Sequence, residues 1–367
     1  MRKRVGKRWL RITLNLLSII SVISLLLAYL APYVHPESLP IIPVFGLAYP
    51  VIVFVFIFCM LAQLLFRKWW AAAMAIIFIA GIGLHLRTLT FGGGDELPKK
   101  GNSLKVMSYN VHLFDVYNSS PKLANETRLK ILGFLKKESP DIVCFQEFYQ
   151  QDRPTDFVTK DTIISLLGIK DYQERYAHRI TKRQNFGIAL FSKYPIIEKG
   201  EVRFDSDIES FNFAIYSDIA YKGDTVRVYN VHLQSIQLNG KDKAALIREE
   251  SGFFDAISKV MEAFPERAKQ ANRLMEHLEN SPYPVVVCGD FNDTPLSYTY
   301  QRFHNELTDA WRNCRTGIGK TYAGKIPAGR IDYIFHSESI GSANFKIQED
   351  ALSDHYAISC EVFVKSK

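Results

Sequence analysis

The sequence predicts an α/β protein with mixed β-sheets, preceded by about three transmembrane helices. Residues 12–34 and 38–66 contain no Asp, Glu, Lys or Arg, and each exceeds the roughly 20 apolar residues needed to cross hydrocarbon. Beyond residue 103, apolar runs of strand length recur between polar turns. Helix-period patterns separate some of these runs and tight turns join others, so parallel and antiparallel pairings should coexist.

The spans are expected at 12–34, 41–66 and 69–86, the third opening with Trp69-Trp70, a pair suited to a membrane interface. Arg2, Lys3, Arg4, Lys7, Arg8 and Arg11 precede the first span, and Arg67-Lys68 follow the second. The positive-inside bias then places the N-terminus in the cytoplasm. Three crossings put the chain after Arg87 on the outer side; two would reverse it. Pro32 directly after Ala31, the lack of an A-x-A pattern and the apolar segment that follows favour an uncleaved anchor over a cleaved signal. With no Asp, Glu, Lys or Arg inside the spans, an anchor is the economical reading, with the lipid bilayer as its partner.

Residues 91–102, FGGGDELPKKGN, read as a flexible linker, and residues 103–367 as one large domain. Strands are expected at 104–109, 142–145, 188–191, 226–231, 284–288, 331–335 and 358–364. Residues 216–221 should form a hairpin with 226–231 through Lys222-Gly223-Asp224. Helical periodicity marks 126–137, 244–263 and 265–278, with Pro265 placed to start the last.

Charge narrows the function. Residues 1–100 hold 11 Lys/Arg against 3 Asp/Glu, and residues 101–367 hold 34 against 35. The basicity belongs to the anchor, which speaks against a cationic nucleic-acid groove spread over the large domain. Of the five cysteines, Cys144, Cys288 and Cys360 lie in apolar runs, Cys59 in a membrane segment and Cys314 in polar surroundings, with no zinc-type spacing.

Polar clusters flank many of the expected strands: Asn110, Gln146-Glu147, His232, Gly289-Asp290-Phe291-Asn292, Asp332 and Ser353-Asp354-His355. One such acid is ordinarily a cap or a solvated turn. Six clusters at strand ends point to a common pocket, because strand termini converge at a sheet edge. Carboxylate and amide oxygens without thiolates suit Mg²⁺ or Mn²⁺, and a hard cation beside imidazoles suits hydrolysis of a phosphate ester.

The ordered set YNVH (109–112), QE (146–147), NVHL (230–233), GDFN (289–292), RIDYIF (330–335) and SDH (353–355) resembles the endonuclease/exonuclease/phosphatase superfamily over essentially all of 103–367. The resemblance implies a four-layered sandwich of two packed mixed sheets flanked by helices, with the site at one edge. It implies that Glu147, with Asn110 nearby, holds the metal, and that Asp354 is a supporting or second-metal carboxylate. It further implies that Asp290 aligns or activates water and that Asn292 orients the water and the phosphate. His232 would bind the phosphoryl group or assist the leaving oxygen, and His355 would face the phosphate with its other ring nitrogen held by Asp332.

Other polar residues read as structural. His112 is expected in a strand, and His178, His277, His304 and His336 as surface or packing residues. Gly187 should admit a close strand neighbour; Asn185 and Asn212 should satisfy backbone groups rather than substrate. Arg267 and Gln270 should bond between helices. The functional reading is a membrane-anchored, metal-dependent phosphoesterase acting on a nucleic acid, a phospholipid or sphingolipid head group, or a small phosphoester. Its alternative is an inactive receptor or scaffold reusing the fold. Residues 238–264, with Leu246, Ile247, Phe253, Phe254 and Ile257, read as a core-packing helix or an apolar lid.

Overall fold

A computed structural model describes residues 2–98, 102–117, 120–155, 157–178, 183–204, 212–236, 253–324, 329–350 and 352–365. The helices are α1 (Arg2–Leu30), α2 (Ile42–Leu47), α3 (Tyr49–Phe66), α4 (Lys68–Ala80), α5 (Ile82–Thr88), α6 (Pro121–Glu138), α7 (Lys160–Leu167), α8 (Phe253–Glu279), α9 (Tyr298–Glu306) and α10 (Ala310–Cys314). The strands run from β1 (Thr90–Phe91), β2 (Leu104–Asn110), β3 (Ile142–Gln151), β4 (Asp171–His178) and β5 (Gln184–Ser192) to β6 (Ile196–Val202) and β7 (Phe213–Tyr221). They continue with β8 (Asp224–His232), β9 (Val285–Asp290), β10 (Thr308–Asp309), β11 (Thr316–Gly317), β12 (Asp332–His336), β13 (Ile340–Ile347) and β14 (Ile358–Val364).

Two six-stranded mixed sheets form, in the orders β13-β14-β2-β3-β5-β4 and β10-β12-β9-β8-β7-β6. β2 runs parallel to β3 and β8 to β9, whereas the other pairings are antiparallel, including the β7–β8 hairpin. Side chains alternate across each strand. Val106, Cys144, Ile215, Val228 and Cys288 fill the space between the sheets. Met107, Tyr109 and Phe145 pack outward under Ile131, Leu135 and Ile163 of α6 and α7, and Tyr229, Val231 and Val287 pack outward under Leu274 and Met275 of α8 and Phe303 of α9. Burial on both faces explains why these strands read as continuous apolar runs. The result is the four-layered sandwich.

Helix boundaries follow local chemistry. Ser120 accepts a hydrogen bond from Leu123 N at 3.4 Å and Pro121 opens α6, so that helix starts earlier than the 126–137 periodicity suggests. Pro265 does not start a helix: α8 passes through it without a break. One lost backbone donor is outweighed by the buried face that Ala271, Leu274, Met275 and Leu278 present to the sheet. Residues 237–252, with Leu246 and Ile247, lie outside the described residues, as do the side chains of Phe253, Phe254 and Ile257.

In the N-terminal part, Arg8–Leu30 of α1 and Tyr49–Phe66 of α3 are long and apolar enough to cross a membrane. The second candidate helix is thus shorter than 41–66, because α2 ends before Tyr49 and Pro50 sits in the first turn of α3. The third is not straight: α4 and α5 are bent by 65° at Gly81, where the helical hydrogen-bond ladder is interrupted.

The N-terminal helices pack onto the large domain. At one end of the bundle the Arg11 guanidinium lies 5.7 Å from the Phe66 ring centre. At the other, Leu296 of the large domain packs with Leu25, Ala28, Tyr49 and Phe56. A Cβ on Gly46 would stand 2.2 Å from Leu296 O and 2.8 Å from Ala31 Cβ, so only glycine allows this approach. Polar contacts surround the joint: Lys269 Nζ to Glu37 at 2.8 Å, His35 edge-on to Tyr298 at 4.9 Å, and Arg330 Nη2 donating to Arg87 O at 3.0 Å.

The described part of the linker is also ordered by partners, contrary to the expectation of a free tether. β1 pairs antiparallel with β11. Gly92 N and Gly94 N donate to Arg315 O and Asn313 O at 3.0 and 2.8 Å. Asp95 Oδ2 accepts from Asn313 Nδ2 at 3.0 Å and from Ser342 N at 2.9 Å. Gly92 lets the backbone lie close against α10, where a Cβ would stand 2.3 Å from Arg312 O and 2.4 Å from Asn313 O.

Candidate active site

Strand register assembles the site. His232 ends β8, Asp290 ends β9 and Asp332 opens β12; His232 pairs with Asp290 and Asp290 with Asp332, making three adjacent positions across one sheet. Gly289, at φ +155°, lets β9 sit against β8: a Cβ there would meet Val231 O at 1.9 Å. On the other sheet Asn110 pairs with Gln146. The β3–β5 register shifts between Phe145 and Phe148, and Glu147 in that bulge has φ +49°. The bulge breaks the two-residue alternation and re-aims the Glu147 side chain.

The sheets are tied together below these residues. Gln146 Nε2 donates to Asn230 Oδ1 at 2.6 Å, and Asn230 Nδ2 donates to Phe145 O at 3.0 Å and Ala189 O at 2.9 Å, all within the buried interior. The polar ends of the QE and NVHL segments therefore split their duties: Gln146 and Asn230 bridge the sheets, while Glu147 and His232 face the site.

Above this bridge the carboxylates converge. Asn110 Nδ2 donates to Glu147 Oε1 at 3.2 Å and to Asp290 Oδ2 at 3.0 Å. His232 Nε2 lies 3.9 Å from Glu147 Oε1 and 3.8 Å from Asp290 Oδ2. His355 Nε2 lies 3.7 Å from Asp290 Oδ2, and its Nδ1 lies 3.1 and 3.0 Å from the two Asp332 oxygens. Asp290 Oδ1 accepts from Asn292 N at 2.9 Å. Asn110, His232, Asp290, Asp332 and His355 are all buried.

Two expected residues act differently here from what the resemblance implies. The Asn110 amide oxygen accepts from His112 N at 3.0 Å, which turns its NH₂ toward the carboxylates. In this arrangement Asn110 holds Glu147 and Asp290 by hydrogen bonds rather than offering an oxygen. The Asn292 amide donates to Leu233 O at 3.0 Å and so braces the residue after His232. Asp354 stands aside from the central carboxylates: its Oδ1 is 3.9 Å from His112 Nδ1, and Ser353 Oγ links it to the cluster by donating to Asn110 O at 2.9 Å.

Electrostatics separate the two sides of the cluster. Burial pushes the Asp290 carboxyl up, opposed by the neighbouring His355 and His232 and by the N–H of Asn292. His355 is pulled down by burial but pushed up more by Asp332 and Asp290, to about 10, so its imidazole carries a proton at neutral pH. Asp290, Asp332 and His355 place one potential ligand atom each within 4.8 Å of one another. Because His355 Nδ1 already engages Asp332, the two form a charged hydrogen-bonded unit, which leaves Glu147 and Asp290 as the carboxylates that could hold a cation.

A cavity of about 310 Å³ opens beside the cluster, lined by Leu113, Glu147, Phe186, Asn212 and His232. His112, Asp115, Ser353 and Asp354 border a separate cavity of about 400 Å³. His112 is not in a strand: residues 112–115 form a turn with φ between 45° and 60°. Arg267 and Gln270 brace loops rather than helices. Arg267 Nε donates to Gln234 O at 2.9 Å, its Nη1 is 3.2 Å from Asp293 Oδ2, and Gln270 Oε1 accepts from Gln234 N at 2.7 Å. Asn185 Nδ2 donates to the Asp152 carboxylate at 2.9 Å, a side-chain rather than a backbone partner, whereas Asn212 lines the 310 Å³ cavity. Sequence reasoning passed over Tyr322, whose ring stands edge-on 5.2 Å from His355 and whose backbone pairs with it. A lone tyrosine in a polar loop carries no periodic signal.

Residues 107–355 match the model of the endonuclease/exonuclease/phosphatase family, and residues 11–88 match a domain of unknown function, DUF8431. No curated protein matches the sequence. The fold is similar to the endonuclease/exonuclease/phosphatase of Beutenbergia cavernae at 16% identity, covering 72% of each chain, with a TM-score of 0.54. It is also similar to the endonuclease/exonuclease/phosphatase of Bacteroides vulgatus, at 17% identity over 72% of this chain and 99% of that one, TM-score 0.53. A family protein from Leptotrichia buccalis matches at 16% over 72% and 100%, TM-score 0.51.

Proposed function

Because the chain belongs to the endonuclease/exonuclease/phosphatase family, we propose that it is a membrane-anchored phosphoesterase that uses Mg²⁺ or Mn²⁺ to direct water at a phosphate ester. The observation that carries this reading is the junction at Asp290: one carboxylate within 4 Å of Asn110, His232 and His355, with Glu147 on the far side of Asn110.

The donor set fits a hard cation. Glu147 and Asp290 share one amide, Asp290 is buried, and no thiolate is among the described groups at this place. Glu147 and Asp290 would hold the ion, with Asp354 as a peripheral carboxylate. When bound, such an ion supplies charge neutralisation at the phosphoryl oxygens. The protein's own groups do the rest. Asp290, held by Asn110 and by the Asn292 N–H, orients the attacking water by accepting a hydrogen bond from it. Protonated His355, fixed by Asp332, donates through Nε2 to a phosphoryl oxygen, and His232 donates on the opposite side of Asp290. Asn292 fixes Asp290 through its backbone N–H and supports the His232 segment through its amide.

The large domain packs at the end of the bundle remote from Arg11 and Arg67. With the positive-inside rule, this supports a cytoplasmic N-terminus and an extracytoplasmic domain. Reporter fusions at residue 367 test the orientation. Full-length protein in detergent should hydrolyse an aryl phosphodiester or phosphomonoester with Mg²⁺ or Mn²⁺ and stop with EDTA. Asp290→Asn and His355→Ala should each remove most of that rate; undiminished rates in both would refute the assignment. A panel of DNA, RNA, phospholipid, sphingolipid and small phosphoesters then identifies the substrate.

A further inference from the structure

Given the phosphoesterase reading, on which this rests, we propose that the 310 Å³ cavity beside Glu147 and His232 is a subsite for an uncharged apolar group carried on the substrate's phosphate, and that Leu113 is the residue that selects it. The cavity is lined by the apolar side chains of Leu113 and Phe186 together with Glu147, His232, Asn212 and Ser235. A phosphate bound at Glu147 and His232 brings its substituent against Leu113 and Phe186, where hydrocarbon leaves water. Among the described lining residues there is no Lys or Arg, and Glu147 adds a carboxylate, so a second anionic group on the substrate finds no partner there.

Leu113 stands at the cavity at a conformational cost. His112, Leu113, Phe114 and Asp115 have φ of 45°, 52°, 54° and 60°, a left-handed turn in which no residue is glycine. That conformation crowds the Cβ of an L-residue against its own backbone, and asparagine, aspartate or glycine adopts it more readily than leucine. The turn is held at both ends: Asn110 Oδ1 accepts from His112 N at 3.0 Å, and Phe114 N donates to Val111 O at 2.8 Å. Phe114 is fully buried, with the rings of Phe148 and Phe157 each 6.0 Å away and edge-on. Those contacts explain the turn and the aromatic residue at 114. They do not call for leucine at 113, which is only partly buried at the margin of the outer core. A strained residue whose side chain lines a ligand-sized opening points to contact with the ligand.

The neighbouring surface continues the apolar character. Tyr117 is 57% exposed, and its ring lies 5.8 Å from that of Phe186. An exposed ring next to the cavity extends the hydrocarbon surface outward, which suits a substituent larger than methyl. A polyanionic substrate would instead need an excess of cations along its path, and residues 101–367 hold 34 Lys/Arg against 35 Asp/Glu.

The test compares phenylphosphonate with methylphosphonate, which keep the anionic head but carry a P–C bond in place of the ester, titrated by calorimetry into full-length protein in detergent with Mg²⁺. Phenylphosphonate should bind about tenfold more tightly, the effect of removing a small hydrocarbon surface from water. In Leu113→Asn the two should bind with nearly equal affinity, while the unfolding midpoint stays level with the wild type or rises, because asparagine accepts the left-handed turn. Leu113→Met, which restores hydrocarbon, should recover the preference. Equal affinities in the wild type, a preference undiminished in Leu113→Asn, or a Leu113→Asn protein that no longer folds would each overturn the proposal, the last by making Leu113 a packing residue. If neither phosphonate binds with Mg²⁺ present, the phosphoesterase reading falls and the subsite with it; binding of both without discrimination removes the subsite alone.

Discussion

His355 presents its Nδ1 to both oxygens of Asp332, at 3.1 and 3.0 Å, while its Nε2 stands 3.7 Å from Asp290. The pair is buried, so Asp332 sets both the orientation and the charge of the imidazole. His355 is held protonated to about pH 10, against an ordinary 6.5. A raised value of this kind contributes stability that is fully present below about pH 6.5 and is lost as pH climbs through 10. Asp332→Asn removes the charge partner and should pull the alkaline limb of kcat/KM toward neutrality. At pH 8 the rate should fall by about 10²-fold or more, the usual weight of a positioned acid or base. A pH profile identical to the wild type would show that the imidazole proton is not used.

The cation pair makes its own prediction, readable without turnover. Glu147 and Asp290 face each other across Asn110, and burial disfavours the charge on Asp290. Mg²⁺ should relieve that cost and raise the unfolding midpoint, with stabilisation of about 2.7 kcal/mol at a hundredfold excess over Kd. EDTA should reverse the shift, and Glu147→Gln should abolish it. Equal midpoints with and without the ion would remove Glu147 from the metal site.

These relationships were unevenly legible in the sequence. Continuous apolar runs announced β2, β3, β8, β9, β12 and β14 because both faces of each sheet are covered. Polar termini announced Asp290, Asp332 and His355 because strand ends meet at one edge. The turn of the Asn110 amide was not legible, since it depends on one backbone N–H, that of His112. Nor was the role of Arg267, whose partners Gln234 and Asp293 follow two different strands. The linker misled because its glycines signal freedom and close approach equally well.

Arg330 and Asp309 form a buried ion pair at 2.5 Å, exposed by only 2% and 1%. Tyr300 Oη and Trp311 N also donate to Asp309, and Arg330 donates to Arg87 O in the anchor. Asp309→Ala leaves the buried Arg330 guanidinium uncompensated and should cost about 3–5 kcal/mol. The double variant Asp309→Leu, Arg330→Met removes both charges and should cost less than the single one. Chemical denaturation of the three proteins measures the difference; a double variant weaker than the single one would mean that hydrogen bonds to the remaining partners, not the lone charge, dominate.

Gly46 decides whether the anchor is a tether or a fixed base. A Cβ there would stand 2.2 Å from Leu296 O and 2.8 Å from Ala31 Cβ, and neither neighbour is the movable end of a long side chain. Leu296 follows Asp290 closely in the chain and shares its packing with Leu25 and Tyr49, so the loop leaving the site rests directly on the N-terminal helices. Gly46→Leu must push the two bodies apart, at a cost of about 1–3 kcal/mol for overpacking. Separation should also strain the pairing of β1 with β11 and expose residues 89–98 to protease. Limited proteolysis of the full-length protein in detergent compares the variant with the wild type. Rapid cleavage at 89–98 in the variant alone is the outcome a fixed base requires, and equal cleavage in both proteins would mean that the anchor is a tether after all.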